Sequence, residues 1–149
     1  MNFDRDALRA AAGQCACANF RKAARAVTQY FDEMLQPIGL RSTQLIIVLV
    51  VAAEQPTNIT QLAEALVMDR STLTRNLRPL EKLGLISVNN DRGRTRLVTL
   101  TTEGEKKLAE AIPFWKKAQG QFVDQLGPRQ WDALVDQLSA TVTIARGDS

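Results

Sequence analysis

The spacing of apolar residues changes in the middle of the chain, and this change constrains the fold more than any other feature of the sequence. Asn58, with Gln61 three positions later, is typical of a helix start, and a short helix is predicted over 59–66. Asp69 can cap a second helix over about 70–83. Two short helices joined by such a tight turn predict a helix-turn-helix.

The segment that follows the second helix has the spacing of β-strands. Gly84 ends the helix, and residues rich in β-branched types then predict strands over 85–88 and 95–100. The residues between the strands, 89–94, form a polar turn that carries arginines. A hairpin directly after a helix-turn-helix is a wing, so the sequence predicts a winged helix-turn-helix.

Long helices are predicted on both sides of this unit. One covers 7–35, another covers 102–126 and begins with a capping box at Thr102, and a last one starts at Pro128. Residues 42–54 contain a run that is apolar all round, which fits a buried strand as well as a buried helix. We interpret it as a central, fully buried helix because helical signals lie on both sides. The predicted fold is mainly α, with about six helices and a two-stranded β wing.

Positive charge is concentrated in one part of the chain. Lys and Arg number 19 against 16 Asp and Glu, a net charge of +3. Residues 70–96 hold seven basic and two acidic residues, +5, so the remaining 12 basic and 14 acidic residues give −2. One basic block on a nearly neutral protein indicates a localised site for a polyanion, with an ordinary solvated surface as the alternative.

The composition also excludes several classes of function. There is no histidine, which removes histidine-based catalysis and histidine metal sites, so we expect neither an enzyme nor a bound cofactor or metal. The adjacent Asp32 and Glu33 point about 100° apart on a helix, and we interpret them as solvated. Cys15 and Cys17 cannot build a disulfide framework, so the cytoplasm is the expected location. The longest apolar run, 45–53, is about half of a membrane span, and no signal-peptide pattern occurs.

Five segments, in their order and spacing, resemble the MarR family of bacterial transcriptional regulators over nearly the full chain. They are Gly39–Gln44, Gln61–Ala63, Asp69–Leu77, Leu80–Ile86 and Arg92–Thr101. The resemblance implies a homodimer whose body is formed by the terminal helices, here 1–38 and 102–149, with a winged helix-turn-helix DNA-binding domain over 39–101. It also implies binding of double-stranded DNA and release by a small effector molecule, often phenolic, or by an oxidant.

The second helix of the helix-turn-helix and the wing carry the residues expected to contact DNA. Leu73, Leu77 and Leu80 anchor the helix to the core, which turns the polar positions outward. Arginine pairs with guanine edges in the major groove, hydroxyls serve bases or phosphates, and arginines at a wing tip suit a narrow minor groove. The predicted DNA-binding residues are Arg70, Ser71, Thr72, Thr74, Arg75, Arg78, Arg92 and Arg94. Surface solubility is the alternative role for any of them taken alone.

The sequence therefore predicts a homodimeric transcriptional repressor that binds a pseudo-palindromic operator. The alternative is a winged-helix module that binds another protein without sequence-specific DNA binding, and salt-sensitive duplex binding distinguishes the two. Trp115 and Trp131 lie on apolar stripes and are predicted to belong to the core or the dimer interface, with ligand stacking as the alternative.

Oxidant-responsive members of the MarR family carry a reactive cysteine near the start of the first helix. Alignment through 25–28 places Cys17 there, on a stripe that faces the interior, which makes it a candidate redox sensor. A small apolar cysteine packed between helices is the alternative. The activating tyrosines of the family are missing, because Ser42 and Leu45 occupy their places. Arg41 also stands where the family often has Ser or Thr, which weakens the predicted cap of the helix over 42–54.

Overall fold

A computed structural model describes residues 4–91, 93 and 95–147. These residues form seven α-helices and a three-stranded antiparallel sheet, which confirms a mainly helical chain with a winged helix-turn-helix. The helices are α1 (Arg5–Gln14), α2 (Ala16–Leu35), α3 (Ser42–Glu54), α4 (Ile59–Ala65), α5 (Arg70–Lys82), α6 (Thr102–Leu126) and α7 (Pro128–Arg146). The strands are β1 (Thr57–Asn58), β2 (Ile86–Asp91) and β3 (Thr95–Leu100), with β3 in the centre of the sheet.

The single helix predicted over 7–35 is in fact two helices, because the backbone is extended at Cys15, with ψ 115°. The side-chain amide of Asn19 donates to the carbonyl oxygens of Gly13 at 2.9 Å and Cys15 at 3.0 Å. These bonds satisfy carbonyl groups at the break, and Gly13 weakens the helix at the same place. This break accounts for the seventh helix.

The apolar run in α3 is helical, as predicted, but it is not buried all round. Leu45, Ile47 and Val48 are buried, whereas Ile46 is 49% exposed. The helix therefore packs the core with most of its circumference and leaves one edge open.

The N-terminus of α3 is capped from another helix. Arg41 provides no side-chain cap, as its departure from the family pattern predicts, and its backbone N–H donates to Gln44 Oε1 at 3.0 Å. A carboxylate oxygen of Asp32, in α2, accepts the backbone N–H of Ser42 at 2.6 Å. The interpretation of Asp32 as solvated is therefore wrong, while the adjacent Glu33 is exposed.

The helix-turn-helix begins as the sequence predicts. Asn58 accepts the backbone N–H of Gln61 at 2.9 Å, and the side chain of Gln61 accepts the backbone N–H of Asn58 at 3.2 Å, which confirms the capping box. Val67, with φ 53°, turns the chain between α4 and α5. The buried face of α5 consists of Leu73, Leu77 and Leu80.

The sheet is larger than predicted. Strand β2 continues through Asp91, which pairs with Thr95, so the turn predicted over 89–94 is shorter. The backbone pairing thus extends through polar positions, which apolar alternation does not mark as strand. Strand β1 pairs with β3 and makes the wing part of a three-stranded sheet.

Helix α6 covers the predicted range, but its N-cap lies one residue earlier than predicted. Thr101, rather than Thr102, is the N-cap and accepts the backbone N–H of Gly104 at 3.0 Å. Thr101 also donates to the carbonyl oxygen of Gly84, which ties the start of α6 to the end of the helix-turn-helix. Gly104 lies against the backbone of Leu85, where a Cβ would overlap the carbonyl oxygen.

The outer helices leave much apolar surface uncovered. Helix α2 packs against α6, and α6 packs against α7. Exposed large apolar residues of these helices are Phe20, Val27, Leu126, Val135, Leu138, Val142 and Ile144. Among the described residues no single helix has the length and hydropathy to cross a membrane. The segment of α2 and α3 meets both criteria only when the two helices are taken together, and these helices are bent by 80° relative to each other.

Candidate nucleic-acid interface

The outward face of α5 is polar and basic. Arg70, Arg75 and Arg78 are exposed, and with Ser71 and Thr74 they line a shallow, open depression of about 570 Å³. None of the three arginines forms an ion pair within the part of the chain that the structure describes. Unpaired guanidinium groups on one helix face leave their donors available to an external anion.

The start of α5 is held by hydrogen bonds to one carboxylate. Asp69 accepts the backbone N–H of Thr72 at 2.7 Å, the hydroxyl of Ser71 at 2.6 Å and the hydroxyl of Thr72 at 2.7 Å. The hydroxyls of Ser71 and Thr72, followed by the backbone bond, hold the pKa of Asp69 well below its usual range. Asp69 therefore remains an ionised cap at neutral pH.

This network changes the roles expected for the threonines. Thr72 and Thr74 are half-buried, and the hydroxyl of Thr74 donates to the carbonyl oxygen of Arg70 at 2.8 Å. The oxygen of Thr72 accepts from the guanidinium group of Arg75 at 3.2 Å. The threonine hydroxyls thus donate within α5, and Thr72 orients Arg75.

A second polar depression, of about 300 Å³, lies between the starts of α4 and α5 and strand β3. Arg70 and Arg96 both line it, together with Asn58, Thr60, Gln61 and Thr95. Sequence reasoning did not select Arg96 as a site residue, although it belongs to the basic block. The predicted wing residues Arg92 and Arg94 lie outside the described residues.

The cysteines lie far from α5 in sequence and are open to solvent. Cys15 and Cys17 are both exposed free thiols, so the prediction that Cys17 faces the interior is wrong for the single chain. The stripe on which that prediction depended lies wholly within α2, and the single chain leaves it uncovered, with Phe20 43% exposed. The hydroxyl of Tyr30, the only tyrosine, donates to the carbonyl oxygen of Ala118 at 3.1 Å.

This geometry suits binding to a nucleic acid better than it suits catalysis. An α-helix fits the major groove, where arginine can bond a guanine edge, and the flanking basic residues suit phosphates. No cluster of three metal-ligating side chains occurs among the residues that the structure covers.

Comparison with known proteins also indicates a DNA-binding protein. The MarR family model matches residues 40–93. An uncharacterized HTH-type transcriptional regulator of Bacillus cereus is 31% identical over 98 residues, which cover 66% of this chain and 66% of the relative. The transcriptional regulator MosR of M. tuberculosis, solved in complex with DNA, superposes with a TM-score of 0.77 at 30% identity, over 88% of this chain and 98% of MosR.

The chain belongs to the MarR family. It is thus a DNA-binding transcriptional regulator of the winged helix-turn-helix class, and its relatives are regulators rather than enzymes. Another structure of the same fold is the transcriptional repressor CouR bound to p-coumaroyl-CoA, with a TM-score of 0.77 at 26% identity, over 91% of this chain and 95% of CouR. In MarR-family terms α4 and α5 form the helix-turn-helix, and β2 and β3 form the wing.

Proposed function

We propose that this MarR-family protein is a homodimeric repressor that reads a pseudo-palindromic operator with α5. The observation that carries the proposal is a face of three exposed arginines that make no ion pair with any described residue, on a helix anchored by buried leucines. The proposed DNA-binding face of α5 consists of Arg70, Ser71, Thr72, Thr74, Arg75 and Arg78. Of these, Arg75 and Arg78 reach bases, and Thr72 serves to orient Arg75.

Arg92 and Arg94 complete the proposed DNA surface at the tip of the wing. Their support is their position in the sequence, between strands β2 and β3. An arginine at such a tip can enter the minor groove, where narrow A·T-rich stretches concentrate negative potential. Arg94 then contributes affinity on every sequence rather than discrimination between bases.

The proposed homodimer buries the apolar surface of the outer helices. An open groove of about 460 Å³ between α2, α6 and α7 is lined by apolar side chains that include Phe20, Val27 and Leu138. Large apolar residues of all three helices stay exposed in the single chain, and a two-fold contact that covers them would bring two copies of α5 to successive half-sites. The proposed division is 1–38 with 102–149 as the dimer body and 39–101 as the DNA-binding domain.

Release of DNA is proposed to follow binding of a small effector, as the ligand-bound structure of CouR suggests for a protein of the same fold. Oxidation of Cys17 is the second candidate for release, favoured by the exposure of its thiol. DNA binding measured before and after organic peroxide, in wild type and Cys17→Ser, tests it; equal affinities in all four samples exclude oxidation. The proposed location is the cytoplasm, where the DNA of a bacterial cell lies.

Duplex binding at a series of salt concentrations tests the main proposal. A duplex selected from random sequence is titrated with the full chain, and the slope of log affinity against log salt should be about 0.9 per phosphate neutralised. Arg94→Ala should weaken binding on all sequences and flatten this slope. Arg129→Ala, in α7, is the control with the same change in charge. Salt-independent or absent duplex binding would favour the protein-interaction module instead.

A further inference from the structure

The second polar depression, between the starts of α4 and α5 and strand β3, is lined by groups from three separate elements. Arg70 comes from α5, Arg96 from β3, and Asn58, Thr60 and Gln61 from the start of α4. Both arginines are exposed, and neither guanidinium group makes a hydrogen bond or an ion pair with a described residue. No carboxylate belongs to the lining that the described residues form. The depression therefore presents two positive charges without a matching negative one.

The hydrogen bonds at the start of α4 engage the acceptors of this lining and leave its donors. Asn58 Oδ1 accepts the backbone N–H of Gln61, and Gln61 Oε1 accepts the backbone N–H of Asn58. Neither side-chain NH₂ group makes a hydrogen bond with a described residue, and neither does the hydroxyl of Thr60. Guanidinium, amide NH₂ and hydroxyl groups all donate. The groups that remain available in the depression are therefore mainly donors, which suit an anion.

We propose that this depression binds one phosphate group, held between the guanidinium groups of Arg70 and Arg96. A guanidinium group can pair with a phosphate through two parallel N–H bonds. The oxygens of a tetrahedral phosphate accept from several directions, as donors on three elements require, whereas a planar carboxylate offers two oxygens. The volume of about 300 Å³ is roughly ten times the share of one water in the liquid, so the phosphate enters together with water.

The backbone of bound DNA is the nearest source of such a phosphate. Arg70 lines both this depression and the one on the outward face of α5, so the two surfaces meet at its side chain. Once α5 lies in a major groove, the anions beside it are backbone phosphates. Arg70 then pairs with a phosphate beside Arg96, which leaves the reading of bases to Arg75 and Arg78. At this point the inference rests on the proposed function, and a phosphate on a small molecule is the other source of the same chemistry.

Arg96 provides the first test, on duplex DNA and with the full chain. Arg96→Ala should weaken binding to operator and non-operator DNA by the same factor, on the order of tenfold, because a phosphate contact carries no sequence information. The slope of log affinity against log salt should fall by about 0.9 for each half-site. Arg96→Lys should restore the slope and part of the affinity, since it keeps the charge but not the planar fork. Arg129→Ala, the same change in charge on α7, should leave the slope unchanged.

Gln61→Glu tests the site without removing an arginine. Glutamate preserves the capping box, because either residue can accept the backbone N–H of Asn58. It also replaces the NH₂ group by a carboxylate oxygen in the lining, which repels a phosphate. We expect a loss of duplex affinity on the order of tenfold relative to Gln137→Glu, which adds the same charge at an exposed position of α7. Equal affinities of the two variants would contradict the site.

Arg70 and Arg96 should behave as one site in a double-mutant cycle. The variant that combines Arg70→Ala with Arg96→Ala should lose less duplex affinity than the product of the two single losses, because both groups hold the same phosphate. The combination of Arg75→Ala with Arg96→Ala should lose the full product, because these arginines contact different groups. Independent effects of Arg70 and Arg96 would overturn the proposal.

Inorganic phosphate, added to DNA-free protein at constant ionic strength with chloride as the reference, distinguishes the two sources. If Arg96→Ala flattens the salt slope on duplex DNA, the ligand is a backbone phosphate. If it changes only the thermal stabilisation by inorganic phosphate, the ligand is a phosphate on a small molecule. The absence of both effects, in protein that binds duplex, contradicts the phosphate site alone. Protein that phosphate stabilises through Arg96 but that binds no duplex contradicts the proposed function alone.

Discussion

The carboxylate of Asp32 accepts the backbone N–H of Ser42 at 2.6 Å and so joins the last turn of α2 to the first residue of α3. In the proposed division of the chain, this bond connects the dimer body to the DNA-binding domain. A negative group at a helix N-terminus also interacts favourably with the helix dipole. One side chain therefore replaces the cap that Arg41 does not provide.

Removing this tertiary cap should destabilise the protein. Asp32→Ala leaves the partly buried N–H of Ser42 without its acceptor, and we expect a loss of about 1–2 kcal/mol in the free energy of unfolding. Urea unfolding followed by circular dichroism measures it. Glu33→Ala, the exposed neighbour, should stay within about 0.5 kcal/mol of wild type. Equal stabilities of the two variants would show that the bond contributes nothing.

The cap of α5 predicts a specific dependence on pH. The pKa of Asp69 is lowered in the folded chain, so its stabilising contribution is complete above the usual aspartate pKa and is lost as the pH falls through the folded value. Asp69→Ala should lower the melting temperature by roughly 2–4 °C. The melting temperatures of wild type and Asp69→Ala should differ by a constant amount from pH 5 to 8. The difference should begin to shrink below about pH 4 and continue to shrink as the pH falls further. A difference that grows in acid would contradict the assignment.

Two glycines of α6 should respond to alanine in opposite directions. In Gly104→Ala the new Cβ overlaps the carbonyl oxygen of Leu85, a backbone atom, so the start of α6 must shift. We expect destabilisation of about 1–3 kcal/mol. Gly120 has open space around it, and Gly120→Ala should stabilise by about 0.4–1 kcal/mol because alanine favours the helix. Chemical denaturation of the pair measures both, and changes of the same sign would refute the close contact.

Elements whose stabilising contacts are local could be predicted from the sequence. The caps at Asn58 and Asp69 each join residues three apart, and the leucines of α5 follow helical spacing. Contacts between distant segments could not be predicted. Asp32 caps α3 across a turn, and the side chain of Gln55 accepts the backbone N–H of Leu100 at 3.1 Å. Such bonds depend on packing that hydrophobic periodicity does not contain.

The same contrast between local contacts and contacts between distant segments applies to the candidate site. Helical spacing sufficed to turn Arg75 and Arg78 outward, because one buried face determines the other. The meeting of Arg70 with Arg96 depends on where β3 lies beside α4 and α5, and the two-residue strand β1 that helps to place it is too short to show an alternating pattern. The break at Cys15 likewise needed the side-chain bonds of Asn19, which no apolar stripe reveals.

A charge placed in the apolar groove should separate the proposed dimer. Leu138 is 38% exposed and lines the groove between α2, α6 and α7. Leu138→Glu would bury a carboxylate against its symmetry mate, so we expect a monomer by light scattering and loss of binding to a palindromic duplex. Gln137→Glu adds the same charge at an exposed neighbouring position and should remain dimeric. A dimeric Leu138→Glu protein would place the interface elsewhere.

Arg75 is the residue whose replacement most directly tests base recognition. Its guanidinium group is exposed and oriented by the hydroxyl oxygen of Thr72 at 3.2 Å, and a bidentate contact to guanine contributes about 1–3 kcal/mol of discrimination. Arg75→Ala should therefore weaken operator binding by about that amount per half-site and relax the preference at one base position in each half-site. Affinities for operators with single base changes measure it.

Thr72→Val provides the matched test of that orientation, because it removes the hydroxyl and keeps the shape of the side chain. It should reduce discrimination at the same base position less than Arg75→Ala does. Binding to non-operator DNA should change little in either variant, since the remaining arginines still contact phosphates. An Arg75→Ala protein that loses affinity equally on every sequence would assign Arg75 to a phosphate rather than to a base.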